Sequence, residues 1–364
     1  MAGQARLRRR FNFYVAGHMN SGYVYVVSHI NGWIDTTKEC TVTASPISRA
    51  PARPPYDPEL DVLLANSPLP TTITAEMIEP LRAAPFTTPI EDVLSTRNLE
   101  HEVVTVPGPD GALTASVFTP RGKTAPGAGI YFLHGGGMII GDRFTGIANI
   151  LDWAEEHCAV VVSLDYRLAP EHPDPAPVED AYAGFVWTAA NAAEFGIDPD
   201  RILLAGTSAG GGLAAGVALL ARDRQGPTAL AQLLMSPMLD DRDETVSSGQ
   251  YSGTGSWSRE SNDTGWNALL GERRKTDAVS IYAAPARATD LSGLPPAFID
   301  VGSAEVFRDE DVAYASRLWA SGVQAELHVW AGGFHIFDGA APTAAVSVAA
   351  LGVRTAWVRR TLVA

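Results

Sequence analysis

Apolar residues in this 364-residue chain alternate between two periods from about residue 100 onward. Residues 103–106 and 113–118 flank Gly108-Pro109-Asp110-Gly111, a pattern that predicts two strands joined by a tight turn. Short apolar runs recur at 129–133, 160–163, 201–205 and 296–301, and residues 325–330 alternate in strand fashion. Between them the spacing turns helical. Phe144, Ile147, Leu151 and Ala154 share one face, Tyr182, Phe185, Val186 and Ala189 another, and residues 210–221 are small and apolar throughout. Strands alternating with helices predict an α/β fold with a mostly parallel central sheet covered by helices on both faces. The alternation breaks between about 239 and 291, where Ser, Gly and charged residues surround Trp257 and Trp266. Residues 56–98 predict one or two helices interrupted by Pro80 and Pro85.

An apolar fraction of 46% suffices for one large core, so residues 56–364 are expected to form a single catalytic domain. Residues 1–55 lack a clear period and end in Arg49-Ala50-Pro51-Ala52-Arg53-Pro54-Pro55, which reads as a linker. They are expected to be a poorly ordered, dispensable extension. The net charge of −14 is uneven: residues 1–53 carry seven Lys/Arg against two Asp/Glu, leaving −19 for the rest. Such an acidic body repels nucleic acid and anionic membranes, and neither is expected as a partner. Cys40 and Cys158 offer neither a disulfide framework nor metal-ligand spacing, and Cys158, between a helix and an apolar strand, is expected to be a buried thiol. The run 11–30 is broken by Asn12, His18, Asn20 and Ser21, so it makes a poor signal peptide, and a cytoplasmic location is expected.

Two motifs carry the chemistry. Gly206-Thr207-Ser208-Ala209-Gly210 lies between a predicted strand and a helix, the setting of a nucleophile elbow that exposes a serine Oγ. His134-Gly135-Gly136-Gly137 ends another strand, where the N–H groups of Gly136 and Gly137, with that of Ala209, can face the oxyanion that serine attack creates. His134 itself reads as a side chain that fixes the loop. Among eight histidines only His335 follows a late strand on a flexible loop, which suits the base. The acid is expected after the preceding strand, where Glu305 falls in the loop and is favoured. Asp309 is the alternative, although Asp309, Glu310 and Asp311 also suit the first turn of a helix. A base must be neutral to accept a proton, so activity is expected to fall in acid. Met138, Trp257, Trp266, Phe307, Phe334 and Ile336 are candidates for the substrate pocket, equally readable as core or lid packing.

These motifs, with Tyr166-Arg167-Leu168-Ala169-Pro170-Glu171 and residues 302–310, resemble those of bacterial hormone-sensitive-lipase-like carboxylesterases, in the subgroup with threonine before the nucleophile. Those enzymes are a branch of the α/β-hydrolase superfamily, and the chain order Ser208, Glu305, His335 is theirs. The chain departs from them in carrying glutamate where relatives usually have aspartate. The resemblance implies an α/β-hydrolase fold with a helical cap drawn from about 56–98 and 240–285. It also implies hydrolysis of small, short-chain acyl esters through an acyl-enzyme, without metal or organic cofactor, and a homodimer. An amidase or other acyl hydrolase with the same triad and a receptor-like binding protein are the rival readings.

Overall fold

The computed structural model describes residues 52–67, 70–84 and 88–363. Eight strands occur among them: β1 (Leu99–Gly108), β2 (Gly111–Pro120), β3 (Gly127–Leu133), β4 (Val160–Asp165), β5 (Ile197–Thr207), β6 (Ala231–Met235), β7 (Ala297–Gly302) and β8 (Ala325–Trp330). They form one sheet in the order β1-β2-β4-β3-β5-β6-β7-β8. The hairpin is closed by Pro109-Asp110, with Gly108 opposite Gly111. β2 also pairs antiparallel with β4, and every remaining pair is parallel. This is the mostly parallel α/β sheet that the alternating pattern predicts, in the α/β-hydrolase arrangement that the resemblance implies.

Period-2 side chains divide the core into two layers. Tyr131, Leu133, Leu204, Leu234 and Ile299 face the helices Ala176–Ala190, Ala209–Asp223 and Arg308–Ala320. Ile130, Phe132, Leu203, Ala205 and Leu233 face Ala148–His157 and Ala345–Val363. Each of these buried leucines contributes roughly 1.5–3 kcal/mol. The first layer continues into a cap, whose Leu60, Ile78, Trp257, Trp266 and Leu269 share its cluster. The cap's helices are Pro58–Ala65, Ile78–Ala83, Val246–Gln250 and Arg259–Leu270.

Three expectations need correction. Residues 88–98 do not join the cap: Ile90 packs in the opposite layer with Leu99 and Ile150, and Arg97 binds Asp152 at 2.7 Å and Val93 O at 2.6 Å. That guanidinium ties the short helix Ile90–Leu94 to Ala148–His157. Cys158 is exposed, because it occupies the left-handed C-cap of that helix (φ 49), where the chain turns outward before β4. Residues 52–55 are not a free linker, since Ala52 O accepts from Gln250 Nε2 (2.7 Å) and Pro54 O from the Tyr251 hydroxyl (3.2 Å). Residues 1–51, including Cys40, lie outside the described residues.

One core group works against stability. Asp311 is fully buried with neither carboxyl oxygen hydrogen-bonded, and Glu310, Glu305 and Asp300 add like charge around it. Burial, reinforced by these acids, pushes its pKa well above the usual carboxylate range, so the native state keeps a proton that the unfolded chain releases. The native state is therefore favoured below the ordinary carboxylate pKa and loses this contribution as pH rises. Asp311→Asn is expected to raise the melting temperature at pH 8 more than at pH 4, by the equivalent of about 1–3 kcal/mol. Equal shifts in thermal melts at the two values would contradict this.

Candidate active site

β5 ends in a turn that no ordinary residue adopts freely. Ser208 has φ 57 and ψ −120, and it caps the fifteen-residue helix Ala209–Asp223. Its N–H donates to Met235 O (2.8 Å) and its carbonyl accepts from Met238 N (3.0 Å), so the end of β6 and the loop after it hold the strained residue from both sides. The turn is too tight for a side chain at Gly210, where a Cβ would collide with the backbone of Leu133 and His134. The serine thus stands at the carboxyl edge of the sheet, at the positive end of a helix dipole.

The loop after β3 curls over the same edge. The carbonyl of Gly136 accepts from Ile139 N and Ile140 N, both at 3.0 Å, whereas the N–H groups of Gly136 and Gly137 find no acceptor among the described residues. Ala209, the first helical residue, likewise has no intrahelical acceptor for its N–H. His134 fixes the loop: its Nδ1 lies 2.7 Å from Gly135 O, its ring stacks on Tyr166 at 4.2 Å, and the Tyr166 hydroxyl donates to His134 O at 2.8 Å. Burial lowers its pKa and keeps the imidazole neutral. Gly137 is essential in another way, since its Cβ position (φ 61) is filled by the Trp257 ring.

The structure brings His335 and Glu305 to this serine. His335 Nε2 lies 2.8 Å from Ser208 Oγ, and its Nδ1 lies 2.6 Å from Glu305 Oε2. The other oxygen of Glu305 accepts from Gly302 N (2.8 Å) and Ser236 Oγ (3.1 Å), so the carboxylate is aimed from both ends. Ser208, His335 and Glu305 are all buried. A serine proton can pass to Nε2 here while the carboxylate stabilises the resulting imidazolium. Asp309 is elsewhere engaged: it accepts from Ser247 N and Arg308 Nε, each at 2.7 Å, and its pKa is lowered by Arg308 and Ser247 against the opposing effect of burial. It anchors the cap helix Val246–Gln250.

Of the pocket candidates, Phe307 meets the His335 ring edge-on at 5.0 Å and Trp257 lies 6.4 Å from it. Met138 and Phe334 are buried in the layer beneath the cap, Trp266 is buried within the cap helix Arg259–Leu270, and Ile336 lines a cavity beside Thr207. Several site residues escape sequence reasoning because their partners are remote in the chain. Arg82 reaches from the cap to Ile139 O (2.7 Å) and Ala169 O (2.6 Å), bracing the oxyanion loop. Ser256 Oγ donates to His335 O at 2.6 Å. Asp57 N donates to Gly332 O at 3.0 Å, and Tyr56 packs edge-on against Phe334 and tilted against Tyr251. Residues 56–57 therefore clamp the loop that carries His335.

Comparison with known proteins identifies the family and the fold. The alpha/beta hydrolase fold family matches residues 130–339. The carboxylesterase NlhH of Mycobacterium tuberculosis is 37% identical over 76% of this chain and 86% of its own length. The carboxylic ester hydrolase LipN of the same organism is 39% identical over 62% of this chain, and the match spans 60% of LipN. Among solved structures, a bacterial heroin esterase superposes with a TM-score of 0.77 at 36% identity, covering 84% of this chain and 98% of the esterase.

The clamp has a measurable consequence. Tyr56→Ala is expected to lower kcat and to destabilise the fold by roughly 3 kcal/mol, while Tyr56→Phe restores kcat because the ring packing survives. Unchanged turnover in the alanine variant would show that the loop holds His335 without it.

Proposed function

The chain belongs to the hormone-sensitive-lipase-like branch of the α/β-hydrolase family, and from that premise we propose that it is a serine carboxylesterase acting on short-chain acyl esters. The observation that carries this reading is the unbroken chain Ser208–His335–Glu305, at 2.8 and 2.6 Å, on an elbow faced by unpaired N–H groups. His335 Nε2 takes the proton as Ser208 Oγ attacks the ester carbonyl carbon. The N–H groups of Gly136, Gly137 and Ala209 hold the oxyanion, and Glu305 stabilises the imidazolium. The bond to the alcohol oxygen then breaks, and that oxygen leaves with the proton from His335. Water repeats the sequence on the acyl-enzyme, releasing the acid and regenerating the serine.

A short acyl chain is supported by the tightness of the cap. Trp257 sits over Gly137, and Gly265 of the helix Arg259–Leu270 is so close that a Cβ there would meet Gly137 O at 2.6 Å. Trp257 Nε1 lies 3.4 Å from Asn262 Oδ1, and Asn262 donates to Asp243 at 2.7 Å, so the ring is held in a buried network. A receptor-like role is not favoured, because the nucleophile and base are both present and in contact.

Hydrolysis of p-nitrophenyl esters from acetate to laurate tests the reading. The rate is expected to peak at short chains and to fall about 10⁴–10⁶-fold in Ser208→Ala. Glu305→Gln is expected to cost about 10⁴-fold through the wrong imidazole tautomer, and Asp309→Asn less than about tenfold. No turnover on any ester, or an Asp309 effect larger than that of Glu305, would contradict the assignment.

A further inference from the structure

A cavity of about 330 Å³ adjoins the triad through its immediate neighbours, although Ser208, His335 and Glu305 do not themselves line it. Thr207 precedes the nucleophile, Ile336 follows the base, and Ser236 Oγ lies 3.1 Å from the acid, and all three line it. Two of the three belong to the His335–Glu305 side of the serine. Ile336 lines the cavity from a left-handed backbone (φ 57, ψ 38), which a β-branched residue adopts only under constraint. In acyl transfer the departing alcohol oxygen must lie towards the group that protonates it, here His335 Nε2, so the alcohol arm of an ester extends to this side.

The lining has hydrogen-bonding capacity that the fold leaves unused. The Asn149 amide makes no hydrogen bond among the described residues, and the Thr207 hydroxyl has only the Met235 sulfur, at 3.9 Å. Deeper in, Arg354 is gripped by Asp300 and Asp338 at 2.7 Å each, and Asp300 Oδ1 and Arg354 Nε remain without partners. Two carboxylates share the one guanidinium of the lining, so an anion finds no unpaired cation there. Trp330 and Met235 supply apolar surface beside these groups. The volume corresponds to roughly ten waters, enough for a small alcohol and too little for a second long chain.

The geometry points to this cavity as a leaving-group pocket for a small, neutral polyol, a glycerol-type or sugar-type alcohol esterified to a short acyl group. This rests on the serine-esterase reading above. Hydroxyls on the alcohol pair with Asn149 and Thr207, a plain alkyl alcohol leaves those groups unpaired, and an anionic alcohol finds no free cation.

The test compares three butyrate esters: 1-monobutyrin, propyl butyrate and the anionic butyryl ester of glycolate. Wild-type kcat/KM is expected to fall in that order, by about tenfold at each step, the worth of roughly one hydrogen bond. Gly339→Leu and Asn149→Phe fill the cavity from walls away from the triad; at Gly339 a Cβ meets only Ile336 Cγ2, at 3.3 Å. Both variants are expected to lose the monobutyrin preference, and in Gly339→Leu the deacylation rate of the butyryl-enzyme, which no longer holds the alcohol, stays unchanged. Equal rates on monobutyrin and propyl butyrate in the wild type would overturn the proposal, as would a preference that survives both substitutions. Where a variant fails to fold, the wild-type order alone decides. Absence of turnover on all three esters would instead overturn the esterase reading, and the pocket with it.

Discussion

Holding a serine at φ 57 and ψ −120 costs about 1–3 kcal/mol, and the sheet edge around Ser208 leaves it no easier conformation. β5 delivers the chain from one side, the helix Ala209–Asp223 takes it away on the other, and the backbone at the end of β6 and just beyond it bonds both its N–H and its carbonyl. The approach of Gly210 to Leu133 O and His134 O then sets how close the oxyanion loop comes to the serine. One strained residue thus fixes how near Ser208 Oγ stands to the N–H groups of Gly136 and Gly137. Burial of the large apolar layers on both faces of the sheet offsets the strain.

The cap is registered on this edge by buried polar groups as much as by apolar packing. Glu310 Oε1 accepts from Leu239 N and Asp240 N at 2.8 and 3.1 Å, Arg287 holds Asp241 at 2.5 Å, and Arg274 holds Asp243 at 2.6 Å. Desolvation raises the Asp243 pKa to about 6, a sign of how much burial opposes its charge. Buried pairs of this kind contribute little net stability, yet removing one partner leaves an uncompensated charge. Their effect is to allow one seating of the cap, with Trp257 over Gly137. Arg82 extends the same principle to the oxyanion loop, and residues 56–57 extend it to the loop bearing His335.

The sheet and its helices were legible because each is encoded locally: short apolar runs gave β3, β4 and β7, and alternation gave β8, to within a few residues, while the small-residue run from 210 gave the helix after Ser208. The order of Ser208, Glu305 and His335 was legible because strand ends converge at one edge of a parallel sheet. Choosing between Glu305 and Asp309 turned on the path of residues 302–308, which places one acid against His335 and the other against Ser247. No local pattern encodes that path. Arg82, Ser236 and Ser256 were invisible for a related reason, since they act on groups between 57 and 87 residues away. Residues 88–98 were misplaced because a short amphipathic helix does not reveal which layer it faces, and Arg97 with Asp152 decides that only in the folded chain.

The central claim is that Ser208 is the nucleophile, and trapping the covalent intermediate tests it most directly. Rapid acid quenching during turnover of p-nitrophenyl butyrate, followed by peptide mass mapping, is expected to find one butyryl group, attached to Ser208 in the peptide that joins β5 to the helix Ala209–Asp223. A butyryl group on any other residue, or continued turnover by Ser208→Ala, would contradict the account.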